Sequence, residues 1–186
     1  MLTSLPNILT LSRIVLIPVL LVLIYLDTSL FRWLALAGYT IACLTDFFDG
    51  YLARHMNDIS PLGRFLDPIA DKLLIASLLI MLTHTDQIDG LVVVPALIIL
   101  CREILVSGLR EFLAEIKVSV PVSSLAKWKT LIQMLAMGFV IVGSAGPEGF
   151  PTVLIGEIGL WSAAALTLIT GYDYLAQGLK HMVKQD

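Results

Sequence analysis

TDFFDGYLAR, residues 45–54, decides how this chain is read. The twelve residues before it, WLALAGYTIACL, carry no charge. Then Asp46 and Asp49 come three residues apart, followed by Gly50, Ala53 and Arg54. A second run follows closely: GRFLDPIADKLLIASLLIML, residues 63–82, opens with Asp67 and Asp71 and then turns apolar. Four carboxylates therefore stand at the mouths of two apolar segments.

The rest of the chain explains the setting. Of 186 residues, 58% are hydrophobic and 15% charged, with mean hydropathy +0.90. A soluble domain is nearer half apolar and a quarter charged, so this composition points to a membrane. Six apolar stretches stand out, at 8–26, 31–50, 68–85, 90–112, 127–146 and 152–176. Each approaches the ~20 residues a helix needs to cross a bilayer. Lipid offers backbone groups no partner, so helix is the expected state, and no period-2 alternation suggests a barrel. The expected fold is all-α and polytopic, six transmembrane helices in one bundle, a single domain over residues 1–186. MLTSLPNIL reads either as a short N-terminal interfacial helix, with Leu2, Leu5, Ile8 and Leu9 on one face, or as the start of the first span. No A-x-A site follows that span, so it is expected to be retained.

Net charge is −3, which gives no overall basic signature for nucleic acid. Its distribution is more telling. Arg54, Arg64, Arg110, Lys117, Lys127, Lys129, Lys180 and Lys184 fall at alternate connections and at the C-terminal tail. The other connections hold Asp27, Asp86, Asp89 and Glu148, with Arg32 as their one cation. The positive-inside rule then puts the aspartate turn and both termini in the cytoplasm, with the chain in a cytoplasmic membrane. Cys43 and Cys101 fall within apolar stretches and read as two buried thiols; a disulfide framework would need more cysteines. His55, His84 and His181 are scattered near loops and read as solvated.

Residues three or four apart share a helix face, so Asp46, Asp49 and Ala53 line one face and Gly63, Asp67 and Asp71 another. Two helices joined by a short loop run antiparallel, which brings four carboxylates to one place. Crowded carboxylates repel, so something positive must sit among them. An all-oxygen set suits Mg²⁺, Mn²⁺ or Ca²⁺, and four carboxylates suffice for the two-ion arrangement used in phosphoryl transfer. Gly50 and Gly63 leave room for a ligand, or for close helix packing.

The pattern D-x-x-D-G-x-x-A-R, eight residues, then G-x-x-x-D-x-x-x-D resembles the signature of the CDP-alcohol phosphotransferase family, without departure. Outside it, PNILTLSRI, FLDPIADK, REILVSGLREF and KWKT resemble the bacterial branch whose acceptor is sn-glycerol 3-phosphate. The resemblance implies a six-helix enzyme, usually a homodimer, that passes the phosphatidyl group of CDP-diacylglycerol to glycerol 3-phosphate and releases CMP. It implies two divalent cations, Mg²⁺ or Mn²⁺, held by Asp46, Asp49, Asp67 and Asp71. It makes Asp71 the base, with Gly50, Ala53, Arg54 and Gly63 lining the CDP-diacylglycerol site.

Other polar residues lie inside the spans. Asn7, Thr10 and Arg13 share a face and should turn inward, either beside the nucleotide or for helix–helix hydrogen bonding. Arg102 lies deep in the fourth span, Arg110 two turns on, and Lys127 and Lys129 open the fifth. Together they suit an anionic phosphate; snorkelling, positive-inside charge and local Arg102–Glu103 or Arg110–Glu111 pairing are the plainer readings. Two rival functions remain: another acceptor, such as inositol phosphate, inositol or serine, or a divalent-cation transporter. Against the transporter, no internal repeat is visible.

Overall fold

A computed structural model describes the backbone of residues 5–56, 61–116, 118 and 124–182, and the side chains of these except 5–6, 49–56, 61–62, 64, 124, 177 and 180–182. The side chains of Asp49, Ala53 and Arg54, and residues Lys117 and Lys184, thus lie outside the described residues, as does the side chain of Lys180.

The described residues form six α-helices: α1 (Leu5–Leu26), α2 (Ser29–Met56), α3 (Pro61–His84), α4 (Val93–Glu115), α5 (Ser124–Val142) and α6 (Thr152–Met182). No strand occurs among them. Among the described residues, four segments are long and apolar enough to cross a membrane: Asn7–Leu26, Gly90–Glu115, Leu125–Ala145 and Thr152–Ala176. α2 and α3 differ because they carry the charged motif within their own length. Both run past their apolar stretches. α2 stays helical through Asp46 and Asp49, and α3 begins at Pro61, where a missing N–H costs nothing in a first turn. α1 is continuous from Leu5, so Ile8 and Leu9 belong to it and not to a separate surface helix.

α1 shows the solvent for which the chain is built. Its buried face is Asn7, Thr10, Arg13, Ile17, Leu20 and Ile24, while Ile8, Leu11, Val15, Val19 and Val22 are exposed. Polar groups inside and branched aliphatics outside invert the soluble pattern, as hydrocarbon surroundings require. Both cysteines are free, and Cys101 is exposed on α4, against the expectation of two buried thiols. In an apolar span, a lipid-facing position keeps a thiol from water without burying it in protein.

The chain divides into two compact units. The first comprises Met1–Ile88 and Gly138–Val153. Within it α1 packs on both α2 and α3. Asp27 follows α1 and Asp86 lies two residues past α3, and their left-handed backbones (φ 49° and 55°) suit aspartate better than most residues. The second unit comprises Asp89–Met137 and Leu154–Asp186. Here α5 and α6 approach so closely that a Cβ on Gly159 would lie 2.7 Å from Ala136 Cβ.

Candidate functional site

In the first unit the buried polar face of α1 meets the aspartates. Arg13 is 1% exposed, yet its guanidinium reaches two other helices. Its Nη1 lies 2.9 Å from Asp46 Oδ1 on α2 and also donates to Asp71 Oδ1 on α3. One turn earlier, the buried Thr10 hydroxyl donates to Asp67 Oδ1 at 2.5 Å. Asn7, also buried, continues this face. Carboxylates from two helices therefore converge on one nitrogen of a third, while the four-residue spacing of Asp67 and Asp71 on α3 sets them against Thr10 and Arg13, one turn apart on α1. Gly63, one turn before Asp67, is buried. Gly50 and Ala53 lie on α2, one and two turns beyond Asp46.

Among the described residues, the positive charge between these carboxylates is Arg13. No three described His, Cys, Asp or Glu side chains form a group that holds a metal ion, Asp49 being outside that set. The donor chemistry still fits a hard cation. Asp46 and Asp71 present carboxylate oxygens to a shared point, and their side chains are 47% and 48% exposed, so each keeps an open side for a further ligand.

The basic residues belong to the second unit. Lys129 is 4% exposed and donates to Glu103 Oε1, and Arg102 Nη1 lies 3.4 Å from the same oxygen. Arg102 Nη2 donates to Thr170 Oγ1 at 3.2 Å, while its buried Nε has no hydrogen-bond partner among the described residues. Gly171 gives this side chain room, since a Cβ there would stand 3.2 Å from Arg102 Cγ. Arg110 donates to the Tyr174 hydroxyl at 3.1 and 3.3 Å, its Cζ 5.2 Å from the ring centroid. Arg102 and Lys129 both lie within electrostatic reach of Arg110. Lys127 is exposed, two residues and more than half a turn from Lys129, and does not join this cluster. His84 is exposed and stacks on Tyr25 at 6.1 Å.

Thr170 and Tyr174 were not singled out by sequence. Their signal was present: Thr167, Thr170 and Tyr174 recur at three- and four-residue spacing inside an apolar span, where polar groups are expensive. Arg13 was placed on the inward face, but its partners Asp46 and Asp71 lie far along the chain, the second 58 residues away, and leave no local pattern.

A family model for CDP-alcohol phosphatidyltransferase matches residues 3–169. Several relatives carry the name CDP-diacylglycerol–glycerol-3-phosphate 3-phosphatidyltransferase. The one from Rickettsia typhi is 53% identical over 171 residues, covering 92% of this chain and 94% of the relative. Those from Cereibacter sphaeroides and Pseudomonas fluorescens are 36% and 37% identical; they cover 96% of this chain each, and 97% and 92% of themselves.

Proposed function

The chain belongs to the CDP-alcohol phosphatidyltransferase family, and from that premise we propose that it makes phosphatidylglycerophosphate in a bacterial cytoplasmic membrane. The phosphatidyl group passes from CDP-diacylglycerol to sn-glycerol 3-phosphate. The glycerol 1-hydroxyl oxygen bonds to the phosphatidyl phosphorus, the bond from that phosphorus to CMP breaks, and the hydroxyl proton goes to a base. The observation that most supports this reading is the convergence of Asp46 and Asp71 on one point beside Asp67, all three within a family motif that the chain matches at every position.

In this reading all six helices cross the membrane, residues 1–186 act as one domain, and the chain works as a homodimer with both termini in the cytoplasm. Asp46, Asp49, Asp67 and Asp71 hold two divalent cations, Mg²⁺ or Mn²⁺. Bound there, such ions neutralise charge on the diphosphate and on departing CMP. Asp71 takes the hydroxyl proton late, as attack on phosphorus acidifies the alcohol. Arg13 holds Asp46 and Asp71 in register from behind. Asn7, Thr10, Gly50, Ala53, Arg54 and Gly63 bind the CDP-diacylglycerol. Arg102, Arg110 and Lys129 grip the acceptor phosphate, with Lys127 adding positive charge at the cytoplasmic surface.

The test is CMP release by purified protein in detergent, given CDP-diacylglycerol, Mg²⁺ or Mn²⁺, and one acceptor at a time. Release with glycerol 3-phosphate alone, lost in Asp71→Asn, is expected. Release only with inositol, inositol phosphate or serine would sink the acceptor assignment.

A further inference from the structure

The basic cluster of the second unit contains an acid that an anion-binding site does not obviously need. Glu103 accepts from the ammonium of Lys129 and lies beside the guanidinium of Arg102. A mostly buried Lys129 cannot stand without a counter-ion, because an unpaired charge in such surroundings is strongly unfavourable. Yet a carboxylate placed on the two phosphate-gripping cations also competes with the phosphate.

The charge balance resolves this. Arg102, Arg110 and Lys129 supply three positive charges and Glu103 one negative, leaving +2 in the cluster. The neighbouring acids Glu111 and Asp173 are exposed, and Glu111 bonds to Ser107. A phosphomonoester carries about −1.5 to −2 at neutral pH. The cluster is thus charged to be cancelled by one such group. Arg102 Nε, buried and without a hydrogen-bond partner among the described residues, is a donor with capacity for it.

We propose that Glu103 is a positioning residue, the resting counter-ion of the acceptor site: it holds Lys129 and Arg102 in place before the substrate arrives and limits the site to the charge of one phosphomonoester. This rests on the reading of Arg102, Arg110 and Lys129 as acceptor-phosphate ligands. When the dianion arrives, the ammonium and guanidinium share their donors between carboxylate and phosphate. When product leaves, Glu103 takes them back.

The test uses the full chain in detergent with EDTA present, so that divalent ions at the aspartates play no part. Inorganic phosphate is titrated calorimetrically into wild type and Glu103→Gln, which keeps an acceptor oxygen and removes the charge. KM for each substrate is then measured with metal restored. Glu103→Gln should tighten phosphate about tenfold and lower KM for glycerol 3-phosphate in proportion, the order of effect of one partly buried charge. KM for CDP-diacylglycerol should hold. Phosphate affinity that is unchanged or weaker in Glu103→Gln overturns the proposal.

A wild-type measurement serves if the variant does not fold. Inorganic pyrophosphate should bind no tighter than phosphate, because its extra charge meets no cation; binding more than about tenfold tighter overturns the balance. If wild type instead turns over a phosphate-free acceptor and not glycerol 3-phosphate, the proposed function fails, while the phosphate titrations still decide the role of Glu103.

Discussion

Arg13 concentrates the physics of the first unit in one side chain. It is buried on α1, and its partners are half-exposed carboxylates on α2 and α3. Arg13→Gln removes the charge and leaves those carboxylates facing one another with their open sides still hydrated. We expect two effects of opposite sense. Divalent-ion binding, followed by Mn²⁺ titration, should tighten several-fold, since a resident cation no longer competes for the oxygens. CMP release should fall at least about tenfold, because Asp71 loses the group that aims it. Weaker Mn²⁺ binding would instead make Arg13 a scaffold for the ions. Asp71→Asn should cost more, about a hundredfold or above, if it is the base. At this scale the aspartates were legible because their spacing of three and four is a local pattern. Arg13 was legible only as an inward-facing cation. Its partners are fixed by how three helices pack, which spacing on one helix does not contain.

Helices carry these groups, and their ends and contacts are set by different residues. At the Asp27 end of α1, Arg32 lies 2.6–2.7 Å from Asp27 and donates to Ser144 Oγ at 2.9 Å, while Gln87 Nε2 donates to Asp27 at 3.1 Å. This mostly buried guanidinium ties the ends of α1 and α3 to the start of α2 and to the turn after α5. Arg32→Ala should lower thermal stability in detergent by about 2–3 kcal/mol, with activity per folded molecule kept. In the second unit, Gly159→Ala should also destabilise, by about 1–3 kcal/mol, because the new methyl would meet both the side chain and the Cα of Ala136. An unchanged melting temperature in Gly159→Ala would mean that α5 and α6 are free to part. Sequence located all six helices from their apolar stretches. The apolar stretches 31–50 and 68–85 are shorter than α2 and α3 because hydropathy fades around the motif, but the three- and four-residue spacing already put Asp46, Asp49, Asp67 and Asp71 on helices, as the backbone does. The α5–α6 contact was hidden for another reason: a glycine in an apolar helix looks the same whether it faces lipid or a neighbour.

Orientation is a property of the whole chain, and the one we propose rests on the charges at the connections. Arg32 is the one cation among the connections assigned to the outer side, yet it is mostly buried and paired with Asp27. It therefore offers little free positive charge to an anionic lipid surface, and the exposed charges at those connections include Asp86, Asp89 and Glu148. On α4 and α5, Arg110 and Lys127 are exposed. The positive-inside rule, applied to the connections in sequence order, gives the orientation we propose, with the Asp46–Asp71 end of α2 and α3 in the cytoplasm, where CDP-diacylglycerol and glycerol 3-phosphate would be used. Single cysteines introduced at Asp89 and Lys127, with Cys43 and Cys101 replaced by serine, give a direct readout. A membrane-impermeant maleimide should label position 89 in intact spheroplasts, and position 127 only after permeabilisation. The reverse pattern would invert the chain and leave the aspartates on the outer side, away from a soluble phosphorylated acceptor. Equal labelling at both positions before permeabilisation would mean that the segment between them does not cross. Position 89 precedes α4 and position 127 lies in the first turn of α5, so the pair reports on the segment Gly90–Glu115 alone, which at 26 residues is long enough to span with some tilt.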